Sequence, residues 1–209
     1  MATRPARPLL VGICGGTASG KSCLASSLKA VLKAKAVIMR QDWYFRDRSG
    51  LTLKEVDRLN FDHPDAMEAP LMHAQLDALL AGRSVDAPLY DYRTHTRKRQ
   101  THRVDPAPVI IVEGIFVLHD AVLVRRLDLS VYIDVPADVS LMRRVRRDVE
   151  ERKIALEETL RLYERFVRPM HMRYIQPSAD RATWRWHQLD DKRFPQELIR
   201  EVQARLRKL

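Results

Sequence analysis

The chain has 209 residues, 45% of them hydrophobic and 31% charged, the make-up of a globular enzyme with enough material for a real core. No stretch reaches the ~18–20 apolar residues of a membrane span, and the basic residues 1–8 lead into a strand pattern where a signal peptide would have its apolar segment. A net charge of +10 calls for anionic partners, but the basic residues bunch at 93–103 and 143–153 without the interleaved aromatics of a single-strand binder, which favours phosphate groups over nucleic acid.

Residues 9–14 form an apolar run of the length of a buried parallel strand. Gly15-Gly16-Thr17-Ala18-Ser19-Gly20-Lys21-Ser22 follows and matches the P-loop pattern G-x-x-x-x-G-K-[ST]. Beyond it Leu24, Leu28, Val31 and Leu32 recur at helical spacing. Strand, glycine loop and helix start together make a triphosphate site: glycines admit positive φ, and the helix N-terminus adds positive potential. Lys21 is then placed to neutralise the β- and γ-phosphates of ATP, and the Ser22 hydroxyl to hold Mg²⁺. Cys14 and Cys23 flank the loop at a spacing that suits neither a disulfide framework nor zinc, so reduced thiols in a cytoplasmic protein are expected.

A second strand is expected at 36–39, with Asp42 just beyond its carboxyl end. Helices follow at 52–59, opening on the capping box Thr52-Leu53-Lys54-Glu55, and at 70–80. Residues 84–104 turn short, polar and β-leaning, and read as a hairpin insertion over the sheet's carboxyl edge. The β-branched run 109–112 gives a third strand, ended by Glu113 and Gly114, and 129–135 a fourth. Helices at 137–153, 156–167 and 195–206 complete the chain. On the first of these Leu141, Val145 and Val149 form the expected buried stripe, with Arg144 and Arg147 beside it and Arg143 and Arg146 turned to solvent. Strands alternating with helices predict an α/β, three-layer P-loop NTPase-type fold: a mostly parallel sheet, helices on both faces, a small β-hairpin insertion. All of 1–209 reads as one kinase domain, with the hairpin near 84–104 and an arginine-rich lid near 143–155.

In order and spacing, further runs carry a family resemblance: Gln41-Asp42-Trp43-Tyr44, Asn60-Phe61-Asp62-His63-Pro64-Asp65-Ala66-Met67, Tyr90-Asp91-Tyr92 with His95, Val112-Glu113-Gly114-Ile115, residues 141–148, and Val167-Arg168-Pro169-Met170. With the P-loop they resemble the uridine kinases of the phosphoribulokinase/uridine kinase group, from Leu10 to about Ser178. The resemblance implies Mg²⁺-dependent transfer of the ATP γ-phosphoryl group to the 5′-hydroxyl of uridine or cytidine, within pyrimidine salvage. It makes Asp42 the base, with Lys21 and Arg147 also catalytic. It gives ATP to residues 15–22 and Arg152, that is Gly15, Gly16, Thr17, Ala18, Ser19, Gly20, Lys21 and Ser22 with the lid arginine. The nucleoside falls to Tyr44, Phe61, Asp62, Tyr90, Tyr92, His95 and Arg144, and the metal to Ser22, Glu113 and Asp42. It also implies a homo-oligomer, dimer or tetramer, and feedback by pyrimidine triphosphates.

Chemistry alone supports parts of this. A carboxylate at Asp42 can accept a hydroxyl proton, one at Glu113 suits Mg²⁺, and one at Asp62 can accept from both ribose hydroxyls. Departures stand beside them: the lid reads Arg152-Lys153-Ile154 where the family has Arg-Gly-Arg, and the apolar strand after Ala179-Asp180 is replaced by Arg181-Ala182-Thr183-Trp184. The rival readings are a kinase for another riboside or a sugar phosphate, and an idle nucleotide sensor or nucleic-acid partner that kept its P-loop.

Overall fold

In the computed structural model, which describes residues 7–208 apart from Asp57 and Arg93, strand β1 (Leu9–Gly15) is buried along its whole length. Its side chains divide by parity, as a strand's must: Leu10 and Cys14 enter one core, while Leu9, Val11 and Ile13 enter the other. The basic residues 1–6, Arg93 of the hairpin and Asp57 of the expected 52–59 helix lie outside the described residues.

After the P-loop, α1 (Lys21–Leu32) buries Leu24, Leu28 and Leu32, whereas Val31, expected on the same stripe, is 46% exposed. Strand β2 (Ala36–Arg40) runs into a 3-10 turn, Gln41–Tyr44. The next helix, α2 (Leu53–Val56), is shorter than expected. Its capping box forms on one side, since the Glu55 carboxylate accepts from the Thr52 N–H at 2.8 Å and from its hydroxyl at 2.7 Å. Helix α3 (Ala69–Leu80) precedes the hairpin β3 (Val85–Asp91) and β4 (Thr96–Val104), antiparallel with a register shift between Pro88 and Tyr90. Then come β5 (Val109–Glu113), α4 (Ala121–Val124), β6 (Leu129–Asp134), α5 (Ala137–Glu150) and α6 (Leu156–Leu162).

The helix expected to end at 167 carries on. It passes through a π turn at Tyr163–Val167, α7 (Arg168–Met170) and a second π turn at His171–Ile175. Pro169 has no N–H to make the α-helical bond back to residue 165, and the ladder is widened on either side of it. Strand β7 (Trp184–His187) and α8 (Phe194–Leu206) close the chain.

β7 corrects the expectation that no strand follows Ala179-Asp180. Trp184 and Trp186 alternate with the exposed Arg185 and His187, the period-two pattern of an edge strand, and Trp186 stacks on Phe194 at 5.2 Å.

The sheet order is β2-β5-β1-β6-β7, and every pairing is parallel. Leu24 and Leu28 of α1 join Leu198 and Val202 of α8 on one face, and Met72, Leu76 and Leu79 of α3 cover the other. That is the expected sheet with helices on both faces. Register sets Ile13 beside Glu113 and Glu113 beside Arg40, so the P-loop, the Gln41–Tyr44 turn and the end of β5 all leave the sheet at one edge. The hairpin stands at that edge: Arg97 donates from its backbone to Asp47 Oδ1 at 2.9 Å and from Nε to the Phe45 carbonyl at 3.1 Å, and pairs with Glu68 at 2.6 Å.

Gly114 is required by close approach. A Cβ there would lie 2.4 Å from Cβ and Oε1 of Gln41, whose Oε1 accepts the Phe116 N–H at 2.8 Å in a buried position. Gly114→Ala should therefore cost about 1–3 kcal/mol by overpacking. It should also lower turnover, because displacing Gln41 displaces Asp42 next to it. Urea denaturation and steady-state rates check this; a variant of unchanged stability and turnover would show that the Gln41 turn is freely adjustable.

Candidate functional site

The P-loop curls tightly because Gly20 takes φ +93°, a conformation open to glycine at little cost, and Ala18 takes φ +51°. Gly20 is the N-cap of α1 and offers no side-chain hydrogen bond, so the first N–H groups of the helix remain for an anion. Lys21 Nζ donates to the Gly16 carbonyl at 2.6 Å. The loop is braced from outside by three side chains to which the sequence attached no role. Ser140 Oγ donates to the Thr17 carbonyl, Gln188 Nε2 to the Ser19 carbonyl at 3.0 Å, and Arg143 to Gln188 Oε1.

Lys21, Asp42, Asp62 and Glu113 form one electrostatic group. Burial lowers the Lys21 pKa, and the charges of Glu113 and then Asp42 oppose that shift. Glu113 is pushed up by burial and next by Asp42, while Lys21, Ser22 and Arg40 pull it back. Asp62 is raised by burial first, then pulled down by Arg144 and up again by Asp42. Asp42 thus acts on all three of the others.

Ser22 Oγ donates to Glu113 Oε1 at 2.9 Å, and Arg40 Nε lies 3.5 Å from the same oxygen. A hydroxyl and two carboxylates are all hard oxygen donors. They fit Mg²⁺, which ordinarily takes one or two carboxylates and fills its shell with water and phosphate. Among the described residues no cluster of three or more His, Cys, Asp or Glu could hold a metal by itself.

The face that α5 turns inward is polar, which corrects the stripe expected at Leu141, Val145 and Val149. Val149 is 37% exposed, whereas Ser140 and Asp148 are buried and the Arg144 side chain is only 13% exposed. Positions 140, 144 and 148 are also spaced at i, i+4, i+8, so periodicity located a stripe and hydrophobicity chose the wrong one. Asp148 gathers the lid arginines. Its carboxylate lies 3.2 Å from Arg144, 2.9 Å from Arg147 and 3.4 Å from Arg152. Arg144 also donates to Thr17 Oγ1 at 3.0 Å, joining the cluster to the P-loop. Arg143, expected in solvent, is held by Gln188 instead.

The lid turn itself contains Lys153 at φ +59°, a left-handed conformation costly to a residue with a Cβ. This is the position where the resembling family carries glycine.

The expected nucleoside-binding residues form an aromatic wall. Phe61 stacks on His95 at 4.1 Å and 17°, Phe45 meets Tyr90 at 5.3 Å, and Tyr90 lies edge-on to Tyr92 at 5.5 Å. The Arg152 guanidinium sits 5.4 Å over the Tyr92 ring and links this wall to the lid. Burial pushes Tyr90 up to about 12. Tyr44 is set apart from the wall: it is fully buried in the core and donates to Gln75 Oε1 at 2.7 Å.

Asp148, Ser140, Gln188 and Arg143 are thus the participants that sequence reasoning missed. Only Asp148 left a signal, as an acid placed four residues after Arg144 and four before Arg152.

A model of the phosphoribulokinase/uridine kinase family matches residues 10–193. A uridine kinase of Chloroflexus aurantiacus is 43% identical over 172 residues, 82% of each chain. One of Proteus mirabilis is 42% identical over 178 residues, covering 83% of this chain and 84% of its own. Among solved structures, a putative fructose transport system kinase from a Silicibacter species superposes with TM-score 0.73 at 23% identity, over 90% of this chain and 93% of its own. Rhodobacter phosphoribulokinase does so with TM-score 0.60 at 13% identity, over 84% and 68%. These two show a shared fold.

Asp148→Asn keeps the shape at the arginine cluster and removes the buried negative charge that pairs with all three arginines. Three guanidinium groups then repel one another around a neutral amide, and breaking a buried ion cluster on one side costs about 3–5 kcal/mol. Denaturation should show that loss, and the Michaelis constant for the phosphoryl donor should rise as Arg144 and Arg152 lose their anchor. Unchanged stability and kinetics would mean the arginines hold their positions without Asp148.

Proposed function

The chain belongs to the phosphoribulokinase/uridine kinase family, and from that membership we propose that it transfers the γ-phosphoryl group of ATP to the 5′-hydroxyl of a pyrimidine ribonucleoside, uridine or cytidine, giving UMP or CMP for pyrimidine salvage. The observation that most supports this is where Asp42 stands: its turn leaves the sheet at the edge where the P-loop and Glu113 lie, the Arg46 N–H to the Ala66 carbonyl at 2.8 Å ties the segment after it to the Asp62 loop, and its charge acts on both Lys21 and Asp62. A carboxylate shared between a donor site and an acceptor site is what an in-line transfer to a hydroxyl needs.

In this reading the P-loop N–H groups and Lys21 hold the β- and γ-phosphates. Lys21 exchanges the Gly16 carbonyl for phosphate oxygen. Asp42 accepts the proton of the 5′-hydroxyl and aligns its oxygen for attack. Asp62 accepts from the 2′- and 3′-hydroxyls, while Phe61, Tyr90, Tyr92 and His95 receive the base. Arg144, Arg147 and Arg152 bring positive charge over the transferring group and exclude water, without which ATP would simply be hydrolysed. Mg²⁺, held by Ser22 and Glu113 with Asp42 near, supplies Lewis-acid neutralisation of the phosphates when bound. Residues 1–209 act as one kinase domain, acting on small molecules in the cytoplasm, as a dimer or tetramer.

ATP consumption measured against uridine, cytidine, their 2′-deoxy forms, purine ribosides, sugar phosphates and an acceptor-free blank tests the reading. Ribonucleosides should be preferred over deoxynucleosides, since a missing hydroxyl leaves Asp62 unpaired. Turnover with a sugar phosphate alone would overturn the acceptor assignment, and no turnover with any acceptor would overturn the enzyme.

Within the site, Lys21→Ala should cost about 10²–10³ in rate with normal circular dichroism, and Asp42→Asn about 10²–10⁴ with ATP affinity retained. If calorimetry finds ATP affinity lost in Asp42→Asn while turnover per bound ATP survives, Asp42 is a metal or structural residue rather than the base.

A further inference from the structure

The turn His171–Ile175 touches both halves of the site at once. On one side the His171 ring packs on the P-loop, so close that a Cβ on Gly16 would lie 3.0 Å from both Nδ1 and Cε1. Three residues on, Tyr174 Oη lies 2.9 Å from His63 Nε2, and the two rings meet edge-on at 5.1 Å. His63 immediately follows Asp62 in the chain. Its tautomer is set locally: Nδ1 accepts the Asp65 backbone N–H at 3.2 Å, so the neutral ring carries its proton on Nε2 and donates it to Tyr174.

The acceptor loop is also held from within, by the Asp62 N–H to Asn60 Oδ1 at 3.0 Å and the Ala66 N–H to the His63 carbonyl at 2.9 Å, and from the segment after Asp42 by the Arg46 N–H to the Ala66 carbonyl at 2.8 Å and Arg46 Nε to the Asp65 carbonyl at 2.9 Å. Its distance from the phosphates needs an anchor on the side of the P-loop as well. Tyr174 supplies one. It is partly buried against the core, with His119 edge-on to its ring at 5.1 Å, so its hydroxyl cannot swing freely. The π-helical closure, Gln176 N–H to the His171 carbonyl at 2.8 Å, fixes the angle between the two contacts.

We propose that this turn is a strut between donor and acceptor subsites, with Tyr174 and His63 as positioning residues that hold the Asp62 loop at the reach of the P-loop. The proposal rests on the functional reading above for the identity of the acceptor, but not for the mechanical link. Positioning matters here because transfer requires the reacting atoms about 3–3.5 Å apart, and small displacements cost rate steeply.

Tyr174→Phe removes one oxygen and leaves the ring in place. Losing one hydrogen bond of this kind should raise the Michaelis constant for uridine about 3- to 10-fold, with that for ATP unchanged. His63→Ala should do the same, the double variant should be no worse than either single one, and His63→Gln, which keeps an N–H near Nε2, should restore much of the loss. Hydrogen exchange on the free protein reads the link without any substrate: Tyr174→Phe should speed exchange across residues 60–67 and leave the P-loop protected as before. Additive losses, equal rises for both substrates, or exchange unchanged at 60–67 would overturn the strut. If the wild type phosphorylates no nucleoside, the acceptor assignment falls, and hydrogen exchange still decides the strut.

Discussion

A strand buried on both faces can carry polar chemistry only at its ends. β1 is such a strand, paired in parallel with β5 on one side and β6 on the other, and buried throughout. Parallel pairing sends all the carboxyl ends to one edge, and the polar groups that close those strands must meet there. The P-loop, Asp42 and Glu113 are neighbours for that reason. Their sequence separation is large, yet the register that sets Glu113 between Ile13 and Arg40 leaves them nowhere else to be.

Crowding charges at one edge is costly unless they offset one another. Glu113 and Asp62 are both pushed up by burial, and Asp42 adds to each shift. Lys21, Arg40 and Arg144 pull the other way. Asp148 does the reverse for cations, holding three arginines that would otherwise repel one another. Much of the site's charge is therefore offset by its own neighbours. Under the proposed function, a triphosphate with its metal would exchange these internal partners for external ones, with Lys21 leaving the Gly16 carbonyl as the simplest instance.

The secondary elements around the edge are irregular where they touch the site. Lys153 adopts φ +59° in the lid turn, His95 takes φ +56° at the hairpin tip, and two π turns flank Pro169. Regular helices and strands supply the frame, and these local departures aim side chains inward from it. The hairpin is fastened by Arg97 to Phe45, Asp47 and Glu68, so one arginine of its basic cluster serves the fold.

Short-range chemistry was legible from the sequence. The strands β1, β2, β5 and β6, the P-loop between strand and helix, the hairpin and α3 all depend on local periodicity, on glycine, or on β-branched runs, and each could be read from its own residues. So could the carboxylates at Asp42 and Glu113, because a strand's end is visible in the run before it. Tertiary contact decided the rest. Whether Tyr44 faces the wall or the core depends on Gln75, thirty-one positions away. Whether α5 buries Val149 or Asp148 depends on what packs against it, and a P-loop and an arginine cluster reward a polar face that hydrophobic patterning cannot foresee. The pairing of β7 with β6 and the bracing of the P-loop by Gln188 are likewise contacts between distant residues. No window of sequence contains both partners of such contacts, so only the folded chain could choose them.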